Sequence, residues 1–366
     1  MKEISILGTR GIPASHGGFE TFAEYLALYL VKNGWCVTVY CQEDGEGTVT
    51  EDFWNGVKLI HIPVAKGGAV GTMLFDLKAT LLDFRQPGLT LVLGYNTAIF
   101  SILYRLKGKR SLMNMDGVEW KRQKWSLPFK IWFYINECLG AWLSNHLIAD
   151  HPEIKKNLLN RVSSEKVTVI PYGADRIEQG DAAVLGKYGL TELGYAILVA
   201  RAEPENSILE IVRAFSLKPR TIRLVVLGNY DLEKNDYHRA VKAAAGNQVL
   251  FLGAIYDKLE LKALRFHARF YVHGHQVGGT NPSLIEAMGA GSAVLAHGNK
   301  YNRWVVDGGA CYFETESECA NQLDRLCDDD GLIATLKKES MSRYTVNFTW
   351  DAVLGQYEEL LNDWLG

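Results

Sequence analysis

Hydrophobic positions recur along the chain in two alternating rhythms. Short apolar runs with the length of buried strands lie at residues 4–7, 37–41, 57–62, 90–93, 112–115, 146–149 and 167–170. Between most of them, apolar residues are spaced by three and four. Phe22, Tyr25, Leu26, Tyr29 and Leu30 are the clearest case, and they predict a helix over 18–32 that Gly34 ends. The rhythm resumes in the second half. Strands are predicted at 195–200, 223–227, 249–252, 270–272 and 293–296, with helices at 208–215 and 259–267. A last helix, 350–364, carries Leu354, Tyr357, Leu360, Leu361 and Trp364 on one side. Strand–helix alternation of this kind implies parallel sheets with right-handed crossovers. The fold class is therefore α/β, with two doubly wound, Rossmann-like domains. Polar residues at 179–181 and 191–192 suggest a boundary within 176–192.

In open parallel sheets, ligands bind beyond the carboxyl ends of the strands. The polar strand ends are therefore the places to look for chemistry. The richest is residues 270–295, FYVHGHQVGGTNPSLIEAMGAGSAVL. A strand leads into His273 and His275, then Gly278-Gly279-Thr280-Asn281. Asn281 suits the N-cap of a helix and Pro282 its first turn. Backbone N–H groups and the helix dipole at such a place attract phosphate. Arg201 stands at another strand end, before Glu203 and Glu205. It can fork onto two phosphate oxygens or pair with either acid. In the first half, Gly8, Gly11, Gly17 and Gly18 surround the end of the first strand. The spacing departs from the dinucleotide fingerprint GxGxxG, although Glu43 stands where its acid is expected. The alternatives are a loop that lets a ligand approach the backbone and plain turns. Asn96, Asp116 and Glu119 also follow strands, as site residues or as turn and surface polar groups.

Composition narrows the class. The 366 residues carry a net charge of −3, so nothing global points to nucleic acid. The cysteines at 36, 41, 138, 311, 319 and 327 are scattered with no CxxC pair, which fits reduced cytosolic thiols and no metal cluster. The N-terminal residues read as a strand and a turn, not a signal peptide. No apolar run approaches the roughly 20 residues that cross a bilayer. Residues 119–143 interleave Lys121, Arg122, Lys124 and Lys130 with Trp120, Trp125, Trp132, Phe133, Tyr134 and Trp142. That mixture fits peripheral contact with an anionic membrane face, or an aromatic helix packed in the core beside a basic loop.

These residues together resemble the retaining glycosyltransferases of family 4, which have the GT-B architecture of two Rossmann-like domains facing across a cleft. Ile170-Pro171-Tyr172-Gly173-Ala174-Asp175 is close to the family's IPNGVD. Arg201 with Glu203-Pro204-Glu205 is similar to its G-R-L-x-P-E-K, and Phe251-Leu252-Gly253-Ala254 to its F-x-G segment. Asn281-Pro282-Ser283-Leu284-Ile285-Glu286-Ala287-Met288-Gly289 is similar to its donor helix. The first half, with G-T-R-G-I-P-x-x-x-G-G-F-E and D-G-x-E-W-x-R, resembles a narrower branch. That branch contains bacterial rhamnosyltransferases of capsule and cell-wall synthesis.

The resemblance implies an acceptor-side domain over 1–180, a nucleotide-sugar domain over 190–345, and a C-terminal helix, 346–366, packing back on the first. Arg201 would contact the donor diphosphate and Glu286 the ribose. Asn281 and Ser283 would hold phosphate at the helix start, beside Asn206, Tyr256, His273, Gly278, Gly279, Thr280 and Leu284. The Gly8–Gly18 loop would close over the donor. Asp116 would face the reacting centre, with Asn96, Glu119, Trp120 and Arg122 on the acceptor side. No cofactor or metal is expected, because no DxD pair sits on a strand-end loop. The partners implied are a nucleotide sugar, with dTDP-L-rhamnose as leading donor, and a polyprenyl-diphosphate-linked saccharide. The expected location is cytoplasmic, at the inner membrane face.

Two departures stand out. Gly278 occupies the place of the family's first glutamate, eight residues before Glu286, which addresses donor hydroxyls. Asn206 occupies the place of its phosphate-binding lysine, five residues after Arg201, and His273, His275 or Arg10 could compensate. Rival readings are a donor such as UDP-glucose or UDP-galactose, a GT-B nucleotide-sugar epimerase, and an inactive partner subunit.

Overall fold

The computed structural model describes residues 2–14, 17–122 and 125–365. The chain divides into two compact units, Met1–Tyr172 with Trp350–Gly366, and Gly173–Thr349. The second unit begins earlier than the polar stretch at 176–192 suggests. The Ala174 N–H donates to Phe348 O at 2.9 Å and the Ile177 N–H to Gly289 O at 2.8 Å, so the segment after Tyr172 is already tied into that unit.

The first unit holds an eight-stranded sheet. Its strands are β1 (Glu3–Leu7), β2 (Cys36–Asp44), β3 (Thr50–Trp54), β4 (Val57–Val64), β5 (Leu89–Leu93), β6 (Ser111–Asn114), β7 (His146–Ala149) and β8 (Val167–Val169). The order is β3-β4-β2-β1-β5-β6-β7-β8. All pairs are parallel except β3 with β4, an edge hairpin that the apolar pattern does not announce. Its strand TEDFW is largely exposed, so burial left no period of two.

Side chains alternate across this sheet as a period of two requires. Ile4, Ile6, Val37 and Val39 pack with the helices Gly18–Lys32 and Trp350–Asp363. Leu7, Tyr40, Ile60 and Ile62 join Phe75 and Ala79 of the helix Gly68–Asp83. The last helix is anchored by aromatic contact: Trp350 stacks on Tyr25 at 4.3 Å, and Tyr357 lies 4.7 Å from Phe22. Tyr357 also accepts from Asn114 Nδ2 at 2.8 Å, which ties this helix to the end of β6.

The second unit holds β9 (Tyr195–Val199), β10 (Arg223–Leu227), β11 (Val249–Gly253), β12 (Phe270–His273), β13 (Ala293–His297) and β14 (Ala310–Phe313). These six strands are all parallel, in the order β11-β10-β9-β12-β13-β14. Ala196, Leu198, Leu224, Val226, Phe270, Val272 and Leu295 form one core with the helices Ile208–Ser216 and Glu316–Asp328. Strands β9 and β12 are neighbours at the centre, and both chains leave the sheet at their carboxyl ends into the polar loops singled out above.

Candidate active site

In the second unit the structure brings most of the expected donor residues onto two adjoining strand ends. After β12 the loop 274–281 runs to the helix Pro282–Gly289. Asn281 caps that helix, accepting from the Ser283 N–H at 3.0 Å, and Pro282 fills its first turn. This cap uses the first helical donor internally. The Leu284 and Ile285 N–H groups likewise donate to Asn281 O. The Ser283 hydroxyl is also engaged, with Tyr271 at 2.8 Å and Val199 O at 3.2 Å. Among the described residues, the amides of Gly278 and Gly279 donate no hydrogen bond, so both remain as backbone donors for an anion. Gly278 has φ 100°, a conformation that side chains strain to adopt.

Arg201 follows β9 by two residues and is exposed. Among the described residues the Arg201 guanidinium forms no ion pair, so its pairing with Glu203 or Glu205 does not form. A charge that always persists, held in reserve beside free amides, is suited to a diphosphate. Glu286 lies on the helix Pro282–Gly289 and pairs with Arg265 of the helix Lys258–Phe266. Arg265 is nearly buried, while the Glu286 side chain is 37% exposed. Arg265 also reaches Ser283 Oγ at 3.4 Å. Arg265 was not anticipated; the signal was an arginine between apolar Leu264 and Phe266 on a packed helix.

The remaining donor-side residues divide. Leu284 is fully buried in the core, so only its backbone can serve a ligand. Thr280 is buried at the helix entry. Tyr256 stands 73% exposed after β11, its hydroxyl meeting Asn229 Nδ2 at 3.3 Å. Asn206 is 5% exposed and its side chain is spoken for: Nδ2 donates to Arg201 O at 2.8 Å and Oδ1 faces His275 Nδ1 at 2.6 Å.

His273 is buried and stacks on Tyr271 with ring centroids 5.8 Å apart. Its Nε2 has no partner. Burial first, then His275 and His297, pushes its pKa well below the ordinary histidine value, so it is neutral and structural. The fold therefore binds fewer protons at this site than the unfolded chain does. Its contribution is fully present above about pH 6.5 and is lost as pH falls below that value, by up to about 1.4 kcal/mol per pH unit. Thermal unfolding of the wild type and His273→Asn between pH 7.5 and 5.5 checks this: the melting temperature of the variant is expected to fall less steeply.

The first unit gathers a separate group. Gly8 closes β1 with φ 83°, and a Cβ there would sit 2.1 Å from Leu93 O, so the loop's close approach to β5 demands glycine. Two carboxylates of the following helix hold the loop. Glu20 Oε1 accepts from the Arg10 N–H at 3.2 Å, and Glu24 Oε2 from the Ala14 N–H at 2.6 Å. Gly17 is the N-cap of the helix that begins at Gly18. Gly11 with Arg10, Glu20, Gln42, Glu43 and His61 lines an open pocket of 580 Å³. Glu43 pairs with His61 Nδ1 at 2.8 Å. His16 lies outside the described residues.

Asp116 follows β6 with φ 49°, an unusual value for a residue with a side chain and one that costs about 1–3 kcal/mol. Its N–H donates to Asn114 Oδ1 at 3.0 Å. Glu119 is clasped by Arg122 at 2.6 Å and by the Trp125 indole at 3.0 Å, and the Tyr95 hydroxyl accepts from its N–H at 2.8 Å. The Trp120 indole donates to buried Glu137 at 2.9 Å, and Arg161 pairs with that carboxylate at 2.8 Å. Glu119, Trp120 and Arg122 are thus tied by side-chain contacts into the segment that follows Asp116. Asn96 is exposed, and its carbonyl accepts from the Trp132 indole at 2.9 Å.

The basic aromatic stretch folds as a short 3₁₀ turn, Glu119–Lys121, and then the helix Leu127–Leu143. Phe133, Asn136, Glu137, Gly140 and Ala141 are buried. Leu127, Ile131, Tyr134, Ile135 and Trp142 are exposed, within roughly a 100° arc of the helix. One face of this helix packs, as the core reading expects, and the opposite face meets solvent. No helix is long and apolar enough to cross a membrane, and among the described residues no cluster of three or more His, Cys, Asp or Glu could hold a metal.

Two parallel-sheet Rossmann-like units make this the GT-B fold, and known structures agree. Sucrose-phosphate synthase from Thermosynechococcus elongatus superposes with a TM-score of 0.82 at 19% identity, covering 99% of both chains. Anabaena HepE in complex with UDP and glucose gives 0.76 at 15% identity, over 99% of this chain and 100% of that one. A glycosyltransferase from Rickettsia africae gives 0.73 at 14%, over 99% and 98%. Residues 187–344, within the second unit, match the family described as glycosyl transferases group 1. Residues 1–175 match a domain of unknown function, DUF1972. No curated protein matches the chain by sequence. The protein is a glycosyltransferase of the GT-B type.

Proposed function

We propose that the protein is a family 4, retaining, metal-independent transferase that moves L-rhamnose from dTDP-L-rhamnose onto a polyprenyl-diphosphate-linked glycan. It works at the inner face of the cytoplasmic membrane, in bacterial capsule or cell-wall synthesis. The observation that carries the donor half is Arg201, whose guanidinium forms no ion pair among the described residues, at the end of a strand adjoining the one whose loop carries the Gly278 and Gly279 amides. As the sugar gains oxocarbenium character, the diphosphate leaves with growing charge, and a fixed cation with preset amides stabilises it. Glu286, held by Arg265, is the acceptor for ribose hydroxyls. The acceptor hydroxyl attacks on the face the diphosphate leaves, and the departing phosphate takes its proton. Asp116, on its strained turn after β6, is the candidate catalytic carboxylate of the first unit.

The rhamnose assignment is supported by Gly278, which offers no carboxylate to the hydroxyls of a glucose-type sugar. The lipid-linked acceptor is supported by the exposed apolar arc of the helix Leu127–Leu143. A UDP-hexose donor is the second reading, favoured by the fold's likeness to HepE, whose structure holds UDP and glucose.

The test incubates the protein with membranes and single nucleotide sugars. dTDP-L-rhamnose is expected to extend the lipid-linked glycan by one deoxyhexose, unchanged by chelator. Product from UDP-glucose or UDP-galactose, with none from dTDP-L-rhamnose, sinks the rhamnose assignment. Turnover of free nucleotide sugar without acceptor reassigns the protein as an epimerase.

A further inference from the structure

The loop after β12 is held from outside itself, and one contact in it has its polarity fixed. Asn206 Nδ2 faces the Arg201 carbonyl at 2.8 Å, and a carbonyl can only accept. The nitrogen of the amide is therefore assigned, and Oδ1 is the atom that faces His275 Nδ1 at 2.6 Å. An amide oxygen can only accept, so Nδ1 carries a proton. This sets the imidazole tautomer by chemistry and not by convention. The rest of the loop is clamped around that ring. The His275 carbonyl accepts from Asn299 Nδ2 at 2.8 Å and Asn302 Nδ2 at 2.9 Å. Ser207, itself in a left-handed conformation at φ 49°, donates to Gly274 O at 2.8 Å. A Cβ at Gly278 would lie 3.4 Å from His275 Nε2, its nearest neighbour.

We propose that His275 is a positioning residue for the donor loop, locked by Asn206 as a proton donor through Nδ1, and that this lock sets where the Gly278 and Gly279 amides meet the donor diphosphate. The proposal rests on the donor-site reading above. It gives Asn206 and Gly278 one shared purpose. Asn206 is an acceptor that holds the ring, and Gly278, at φ 100°, lets the loop turn beside it. A lysine at 206 cannot accept from Nδ1, so it would break the lock even as it adds a cation beside the diphosphate site.

That gives a prediction opposite in sign to simple charge reasoning. Asn206→Lys is expected to weaken nucleoside diphosphate binding about tenfold, since small misplacements of binding groups cost that much or more. His275→Gln, whose amide nitrogen substitutes for Nε2, is expected to weaken it similarly. His275→Asn, whose amide nitrogen takes the place of Nδ1–H, is expected to stay within about threefold of wild type, because the hydrogen bond to Asn206 survives. Calorimetric titration of the full chain with dTDP and UDP reads these, with melting temperature as the control for folding. Asn206→Lys binding as well as or better than wild type, or His275→Asn as weak as His275→Gln at equal melting temperature, overturns the proposal. If wild type binds neither nucleotide, the donor-site reading itself fails, and the two failures are told apart.

Discussion

Glu286→Gln is expected to lower kcat/KM for transfer about a hundredfold. The exchange keeps the side chain's shape and removes its charge. A hydrogen bond to a charged acceptor is worth about 1.5–3 kcal/mol, so losing that contact to the donor's ribose accounts for most of the fall. The same exchange leaves Arg265 almost buried with its main counter-charge gone. Breaking a fully buried pair costs about 3–5 kcal/mol, but Glu286 is partly exposed, and about 2 kcal/mol of stability is expected to go. Arg265→Met separates the two effects. It removes the buried cation with its partner still able to meet water, so stability falls less while Glu286 loses its orientation. Kinetics and melting curves on both variants read the outcome. Wild-type kcat/KM in Glu286→Gln rules out the role given to this carboxylate.

Arg201→Met is expected to cost more activity and almost no stability. The guanidinium is exposed and makes no ion pair among the described residues, so truncation breaks nothing in the fold. Removing one preset group that meets developing charge costs about 10²–10³ in turnover. Arg201→Lys keeps the charge and loses the fork, and is expected to recover only part of the rate. A melting temperature that drops with Arg201→Met, or a rate within a few fold of wild type, counts against a diphosphate contact.

Much of the fold was legible because burial writes itself into sequence. Phe22, Leu26 and Leu30 mark the helix Gly18–Lys32 by spacing, and that element has the predicted bounds. Asn281-Pro282 located the start of the helix Pro282–Gly289 through the chemistry of caps. The hairpin β3–β4 was missed because an exposed edge strand carries no alternation. Its turn was nonetheless marked: Asn55 and Gly56 both have positive φ, at 48° and 83°, as a two-residue hairpin with Asn-Gly prefers.

The candidate site was legible in its residues and less so in their duties. Arg201 and Glu286 stand at their expected places, one without an ion pair among the described residues and one oriented. Asn206 does not project toward a ligand, because two hydrogen bonds consume it. His273, weighed as a substitute cation, is neutral in a buried stack. Such assignments depend on which partner a polar atom finds across the fold, and no local spacing records that. Glu137 and Arg265 show the same limit. Each is a buried charge whose partners, Arg161 and Glu286, lie 24 and 21 residues away in sequence.

The donor site of the second unit is the centre of this account, and calorimetric titration with nucleoside diphosphates tests it most directly. Wild-type protein is expected to bind dTDP or UDP at one saturable site, with binding lost in Arg201→Met and much weakened in Glu286→Gln. Absence of binding by wild type, or binding that both variants leave unchanged, would contradict it.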